Sequence, residues 1–403
     1  MSPAPPAGKP TFSFLVILLG LLMATVVLGI DLTLPSMPLT AAAFGASDAA
    51  IQLSLSAFIA GIAAGQLIYG PVSDRYGRRP ILMIALGLFM LSSLGCALAS
   101  SIEALTGFRF LQGLAACGMA VLTRAVVRDL YRDEDAARMF AQVLMVHGFS
   151  PIVAPILGAH LTIAYGWRSV FWFIVGYSAI LLVVVWRWLA EPLAERDPAA
   201  MRPADLVRNF RHVLANPLFD GYMLCMAACY CGMFAFLTAS SATLVSQFGL
   251  SVTDYSYVFA ATMCVYLVGT WVSARLVRRR SIAGMIVPGA LMMAAAGLTM
   301  AALGLARIDA PAAIIVPMAA FMFAFCFIVP TAQAAAMSLF DRNTGAAASM
   351  IGFVQLALSA ATGALVGHFA DGTQIPMVVA IGIASVCPIA AYVLIVRPRA
   401  EIP

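Results

Sequence analysis

Twelve apolar stretches, each long enough to cross a bilayer as a helix, follow one another along this chain with mostly short polar breaks between them. A bilayer core takes about 20 apolar residues in helical form. Segments that meet this test run approximately over 12–36, 50–72, 80–101, 105–127, 137–165, 170–189, 218–246, 255–277, 283–306, 310–339, 345–369 and 376–396. The pattern predicts an all-α integral membrane protein. Composition agrees, since only 10% of the 403 residues are charged, against about 25% in soluble domains. The net charge of +5 does not signal a nucleic-acid partner, because most basic residues sit in short loops between spans.

Those loops set the topology. Twelve spans put both chain ends on one side. The loops after even-numbered spans, with the two termini, hold 20 of the 23 basic residues, including Lys9, Arg75, Arg78, Arg79 and Arg342. The loops after odd-numbered spans hold only Arg168 and Arg307, and Arg109 lies within a span. The excess of positive charge on the inner side predicts that both termini are cytoplasmic. The polar stretch Met1–Pro10 runs into an apolar segment longer than a signal-peptide core, with no small-residue cleavage pattern after it, so the first span is expected to be retained.

The one long polar interruption, Glu191 to Asn216, divides the spans six and six. The expected organisation is a six-helix bundle over 1–190, a cytoplasmic linker over 191–216 and a second six-helix bundle over 217–403. Residues 204–215 suit a short helix, with Leu206, Val207, Phe210 and Leu214 on a face expected to rest on the membrane surface. The halves echo each other: Leu130-Tyr131, a polar turn and span 5 can be laid on Leu339-Phe340, a polar turn and span 11, at an offset of about 209 residues. Such half-repeats around a central site are one design of secondary transporters.

Few residues in this chain are suited to chemistry. Asp31 is the only carboxylate well inside an apolar span. Charge at that depth survives mainly where it faces a wet cavity or a partner, which makes Asp31 a candidate to take up and release a proton. The alternative is an outer helix end that meets water. Arg109, at the start of span 4, is its natural partner, and Gln112 one turn on adds a hydrogen-bonding group; the alternative for Arg109 is to snorkel to the surface. Asp129 belongs to a mixed-charge run that is either a solvated helix end or the mouth of an inner cavity. Pro151 and Pro155, with Gly158 nearby, predict a kinked span 5 that packs closely on a neighbour. His147, His160 and His368 fit interfacial positions better than proton transfer. Trp167, Trp172, Trp186, Trp188 and Trp271 fit interfacial belts. Tyr230, Phe234, Phe236, Tyr255, Tyr257, Tyr266 and Phe323 predict an aromatic, charge-poor lining in the second half, suited to apolar or amphipathic ligands. The eight cysteines show no zinc-like pairing with histidine and are expected to pack as small residues. No metal site is expected. The sole lysine is Lys9, so a phosphate-cradling loop with its lysine is excluded.

The segment Gly70-Pro71-Val72-Ser73-Asp74-Arg75-Tyr76-Gly77-Arg78-Arg79-Pro80 closely resembles the loop between helices 2 and 3 of major facilitator superfamily transporters. The resemblance implies two pseudo-symmetric six-helix bundles. It also implies a cytoplasmic gate at Gly70, Asp74, Arg75, Gly77, Arg78 and Arg79, latched by the charged residues. Arg109 with Gln112-Gly113 is similar to the family's span-4 signature, whose arginine is linked to proton coupling. Span 5 resembles the antiporter signature, with Pro155 and Gly158 kept and Ser150, Ala154 and Ala159 in place of three glycines. Asp31-Leu32-Thr33-Leu34-Pro35, Val127-Arg128-Asp129-Leu130-Tyr131 and Gly166-Trp167-Arg168 are similar to the bicyclomycin/chloramphenicol-resistance branch of drug:proton antiporters. There the span-1 acid and the span-4 arginine form the coupling and drug-recognition pair. Met23 stands where some multidrug relatives carry a second acidic residue.

The resemblance therefore implies a multi-pass protein of the bacterial inner membrane that is not an enzyme. It would exchange protons, its coupling ion, for small hydrophobic or amphipathic drugs, as a monomer and without a cofactor. A proton-coupled metabolite symporter of the same fold is the alternative, and sparse polar lining argues against it.

Overall fold

The computed structural model describes residues 11–340 and 343–400, so Met1–Pro10, with Lys9, and Arg342 lie outside the described residues. Among the described residues there is no strand. Twelve helices are long and apolar enough to cross a membrane. Span 1 is Phe12–Phe44, span 2 Asp48–Tyr76, span 3 Arg78–Leu98, span 4 Ile102–Leu130, span 5 Asp133–Tyr165 and span 6 Arg168–Trp188. Spans 7 to 12 are Pro217–Gln247, Val252–Leu276, Ile282–Leu305, Ala312–Met337, Thr344–His368 and Ile375–Arg399. Helices keep every backbone hydrogen bond inside one segment, as a lipid environment requires.

Helix starts are capped by the residues that suit the job. The hydroxyls of Ser47, Ser101, Ser251 and Ser281 each accept from the backbone N–H three residues on. Spans 2 and 4 then interlock through glycine. A Cβ at Gly61 would strike the carbonyl of Phe110, and one at Gly113 would strike the carbonyl of Phe58. Small residues of this kind bring two helices to backbone contact where there is no hydrophobic drive between them.

Span 1 is not one helix. It runs α-helical over Phe12–Asp31, tightens into a 3-10 turn at Leu34–Ser36 around Pro35, and resumes over Met37–Phe44. Span 5 breaks at Phe149, between helices Asp133–Gly148 and Ser150–Tyr165. Pro151 falls in the first turn of the second helix, where its missing N–H costs nothing, and Pro155 lies buried inside that helix.

The two sets of six spans meet along two seams. Span 2 packs on span 11, from Gly367 beside Gln52 to Gly352 beside Gln66. Span 5 packs on span 8, and the 3-10 turn of span 1 also touches span 8. At the end that carries the linker, a cavity of about 650 Å³ separates the halves, lined by Gln66, Asp74, Arg78, Arg124, Arg128 and Ser349 among others.

The linker helix forms over Pro203–Leu214, close to the expected span. Its placement differs. Leu206 and Phe210 line the cavity mouth rather than a membrane surface, while Val207 and Leu214 are exposed. The cause is a tether, since the backbone N–H of Asp197 donates to the carbonyl of Asp74 at 3.0 Å and draws the linker under the bundle. Of the tryptophans, Trp172, Trp186, Trp188 and Trp271 are exposed as a belt requires. Trp167 is buried, sandwiched between Phe44, Phe171 and the Arg168 guanidinium. Phe234, Phe236 and Tyr255 are core residues rather than a lining, and Tyr257 is exposed.

Candidate functional site

The break in span 1 creates the first site. In a continuous helix the N–H of Thr33 would bond the carbonyl of Gly29. Here it donates to Ile30 instead, at 3.1 Å. The freed Gly29 carbonyl accepts from Nη1 of Arg109 at 2.6 Å and from the Thr33 hydroxyl at 3.3 Å. Arg109 is only 2% exposed. Its Nη1 also donates to Oε1 of Gln112 at 2.7 Å, and Nη2 reaches the Thr33 hydroxyl at 3.5 Å. Gln112 passes the chain to the hydroxyl of Ser93 at 2.8 Å, which donates to the carbonyl of Phe89 at 2.6 Å. The guanidinium lies over the ring of Phe58, 4.4 Å from its centroid. Phe58 fits there because Gly29 has no side chain, as a Cβ at Gly29 would strike the ring.

Asp31 sits two residues beyond Gly29, 6% exposed, and is the only buried acidic side chain among the described residues. The expected ion pair with Arg109 does not form: among the described residues no hydrogen bond or salt bridge joins them. The reason is geometric. Arg109 donates to a carbonyl, an amide and a hydroxyl and lies on an aromatic face, whereas the 3-10 turn just past Asp31 packs on span 8, which carries Tyr255. Tyr255 is fully buried and shares a 3.0 Å hydrogen bond with Ser240 of span 7. Arg109 therefore holds the break at Gly29 and Thr33, and Asp31 stands buried on the same turn. Gly158 adds a third contact, for a Cβ there would strike the carbonyl of Leu32.

The second site lies at the linker end. Arg78, 3% exposed, is clamped by the carboxylates of Asp74 at 2.6 Å and Asp129 at 2.7 Å, and by the hydroxyl of Ser73 at 2.7 Å. Asp129 thus joins the gate cluster and not Asp31 and Arg109. Glu191 of the linker accepts from the backbone N–H of Arg78 at 2.9 Å and of Arg79 at 3.2 Å. It caps the exposed donors at the start of span 3, where negative charge is favoured. Arg79 donates to the Trp186 carbonyl at 2.6 Å. Among the described residues Arg75 stays outside this network, and its guanidinium lies over the ring of Tyr76. A Cβ at Gly70 would meet open space.

Gly77 is required on two counts. Its φ of 103° and ψ of 154° fall in a region that glycine alone occupies freely. A Cβ would also lie 2.6 Å from Oε2 of Glu191. Gly77→Ala is therefore expected to cost about 1–3 kcal/mol in stability, read as a lowered unfolding temperature of the purified protein. An unchanged temperature would show that Glu191 does not hold this turn.

Sequence reasoning gives no role to Phe58, Ser93 or Glu191, assigns Tyr255 to a ligand lining, and leaves Arg124 in the mixed-charge end of span 4. His160 and His368 are exposed, and Nδ1 of His147 is buried without a partner.

The family model of the Major Facilitator Superfamily matches residues 19–365. The chain belongs to this superfamily. It is a multi-pass membrane protein and a secondary transporter, not an enzyme. An uncharacterized MFS-type transporter of Bacillus subtilis, YdgK, is 31% identical over 380 residues, covering 92% of each chain. A bicyclomycin resistance protein homolog of Haemophilus influenzae is 28% identical, covering 95% of this chain and 96% of its own. Among solved structures, a bacterial homolog of the human lysosomal transporter Spinster, inward-facing and unoccupied, superposes with a TM-score of 0.73 at 16% identity, covering 96% of this chain and 95% of its own. That likeness establishes the fold.

Proposed function

We propose that this transporter exports small hydrophobic or amphipathic compounds, of the phenicol or bicyclomycin kind, in exchange for protons across the bacterial inner membrane. It works as a monomer with both termini cytoplasmic, needs no cofactor, and uses the proton as its coupling ion. One observation carries the reading: Asp31, the sole buried carboxylate among the described residues, stands on the backbone break that Arg109 holds through Gly29 and Thr33. The bicyclomycin-resistance relative supports the substrate class.

The 3-10 turn that follows Asp31 packs on span 8 of the other half. Taking up a proton removes the charge of Asp31 and changes what the break, Arg109 and the facing helix prefer. The halves 1–190 and 217–403 then rock about the seam, closing the linker-end cavity and opening the opposite one. A proton entering down 100 mV supplies about 2.3 kcal/mol, which is roughly a 50-fold shift between two states.

Inside-out membrane vesicles test this directly, since export from the cell becomes uptake. Respiration-energised vesicles are expected to accumulate radiolabelled chloramphenicol or bicyclomycin, and a protonophore to abolish it. Accumulation in right-side-out vesicles alone would assign the symporter instead.

A further inference from the structure

The turn between spans 8 and 9 repeats the charged turn between spans 2 and 3, and both follow even-numbered spans at the linker end of the molecule. At an offset of 200 residues, Ser273-Ala274-Arg275-Leu276-Val277-Arg278-Arg279 lies on Ser73-Asp74-Arg75-Tyr76-Gly77-Arg78-Arg79. The serine and the three arginines recur, but Ala274 stands in place of Asp74 and Arg280 adds a fourth cation. In the first half carboxylates of Asp74 and Asp129 clamp Arg78, and Glu191 covers the backbone N–H groups beside it. The second half has no counterpart to these acids. No aspartate or glutamate occurs between Asp254 and Asp309. Among the described residues no carboxylate lies within 4.0 Å of Arg275, Arg278, Arg279 or Arg280.

The four arginines face outward, and so do the apolar side chains among them. All four are exposed, together with Trp271, Leu276, Val277 and Ile282. The Arg275 guanidinium lies over the Trp271 ring, 3.4 Å from its centroid. A hollow of about 630 Å³ is lined by Trp271, Ala274, Arg275, Leu276, Arg278 and Arg279. Orienting a chain in the membrane takes positive charge alone. This corner adds a hollow, a tryptophan and an apolar rim to charge that no acid neutralises. Guanidinium forks match the paired oxygens of a phosphate, and basic clusters just beyond a membrane span attract anionic lipids. We infer that this corner binds the phosphodiester headgroup of an anionic phospholipid from the leaflet at the linker end. The lipid phosphate gives Arg278 and Arg279 the negative charge that carboxylates give Arg78 in the first half, and the acyl chains cover the apolar rim. The site is the same whichever way substrate moves.

Native mass spectrometry of the purified full-length protein, titrated with equal amounts of dioleoyl-phosphatidylglycerol and dioleoyl-phosphatidylcholine, reads the site directly. The parent protein is expected to hold phosphatidylglycerol about tenfold or more tightly than phosphatidylcholine. Replacing Arg278, Arg279 and Arg280 together by glutamine should remove most of that preference, and replacing them by lysine should keep most of it. Ala274→Asp provides a second test that removes no arginine. Its carboxylate stands four residues before Arg278, as Asp74 stands before Arg78, and by pairing there should lower the preference several-fold. The ratio of the two lipids within one variant is insensitive to how much of it is folded. Excess inorganic phosphate should leave phosphatidylglycerol in place, because it brings no acyl chain to the rim. Equal binding of the two lipids by the parent protein, an unchanged ratio in either the glutamine variant or Ala274→Asp, or displacement by inorganic phosphate would overturn the site.

Discussion

Arg109→Ala is expected to abolish proton-driven transport and to lower the unfolding temperature of the purified protein. The substitution leaves Oε1 of Gln112 without a donor, and the Gly29 carbonyl with only the Thr33 hydroxyl. An orphaned buried polar group costs roughly 1–3 kcal/mol, and the Phe58 ring loses its cation as well. Arg109→Lys separates charge from geometry. A single ammonium lacks the fork that spans Gly29, Gln112 and Thr33 while lying flat on an aromatic face. Arg109→Lys should therefore fold but transport poorly, by about tenfold or more. Full activity in the lysine variant would show that charge alone is needed at this position and that the grip on the span-1 break is dispensable.

Arg78→Ala is expected to produce the larger loss of stability. It strips the cation from two carboxylates, and Asp129 is only 14% exposed. Removing one partner of a buried pair costs roughly 3–5 kcal/mol. Glu191→Ala should cost less, on the order of 0.5–2 kcal/mol, because it removes a helix cap and leaves the ion pairs intact. Arg75→Ala should change neither stability nor transport, since that side chain points away from the cluster. Unfolding temperatures of the three variants are predicted to rank in that order. A large effect of Arg75→Ala would mean that the resemblance, which counts it with the latch, describes this gate better than the geometry does.

The spans were legible because a run of 20 apolar residues between charged turns has few other folds open to it. The break after Asp31 is not in the sequence reading, which runs span 1 unbroken over 12–36, although Pro35 disfavours a continuous helix. Its consequence is not legible either, because the freed Gly29 carbonyl depends on which acceptor the Thr33 N–H chooses. The same limit explains the missing Arg109–Asp31 pair: proximity in two spans does not say which face of span 1 each side chain meets. Which arginine of the charged turn points inward is decided by Gly77 and by Glu191, 113 residues away from Arg78 in sequence. Spacing alone carries no such information. Arg124 reads as one more charge near a helix end until the cavity is seen to open beside it.

Proton coupling through Asp31 is checked by Asp31→Asn in proteoliposomes, comparing accumulation driven by an imposed proton gradient with exchange of labelled for unlabelled substrate at equal concentrations and no gradient. The substitution keeps size and hydrogen-bonding shape but removes the titrating group. Gradient-driven accumulation should disappear while exchange persists, because rocking between the two openings no longer needs a proton. An asparagine variant that accumulates substrate as well as the parent protein would place the coupling elsewhere and contradict this account.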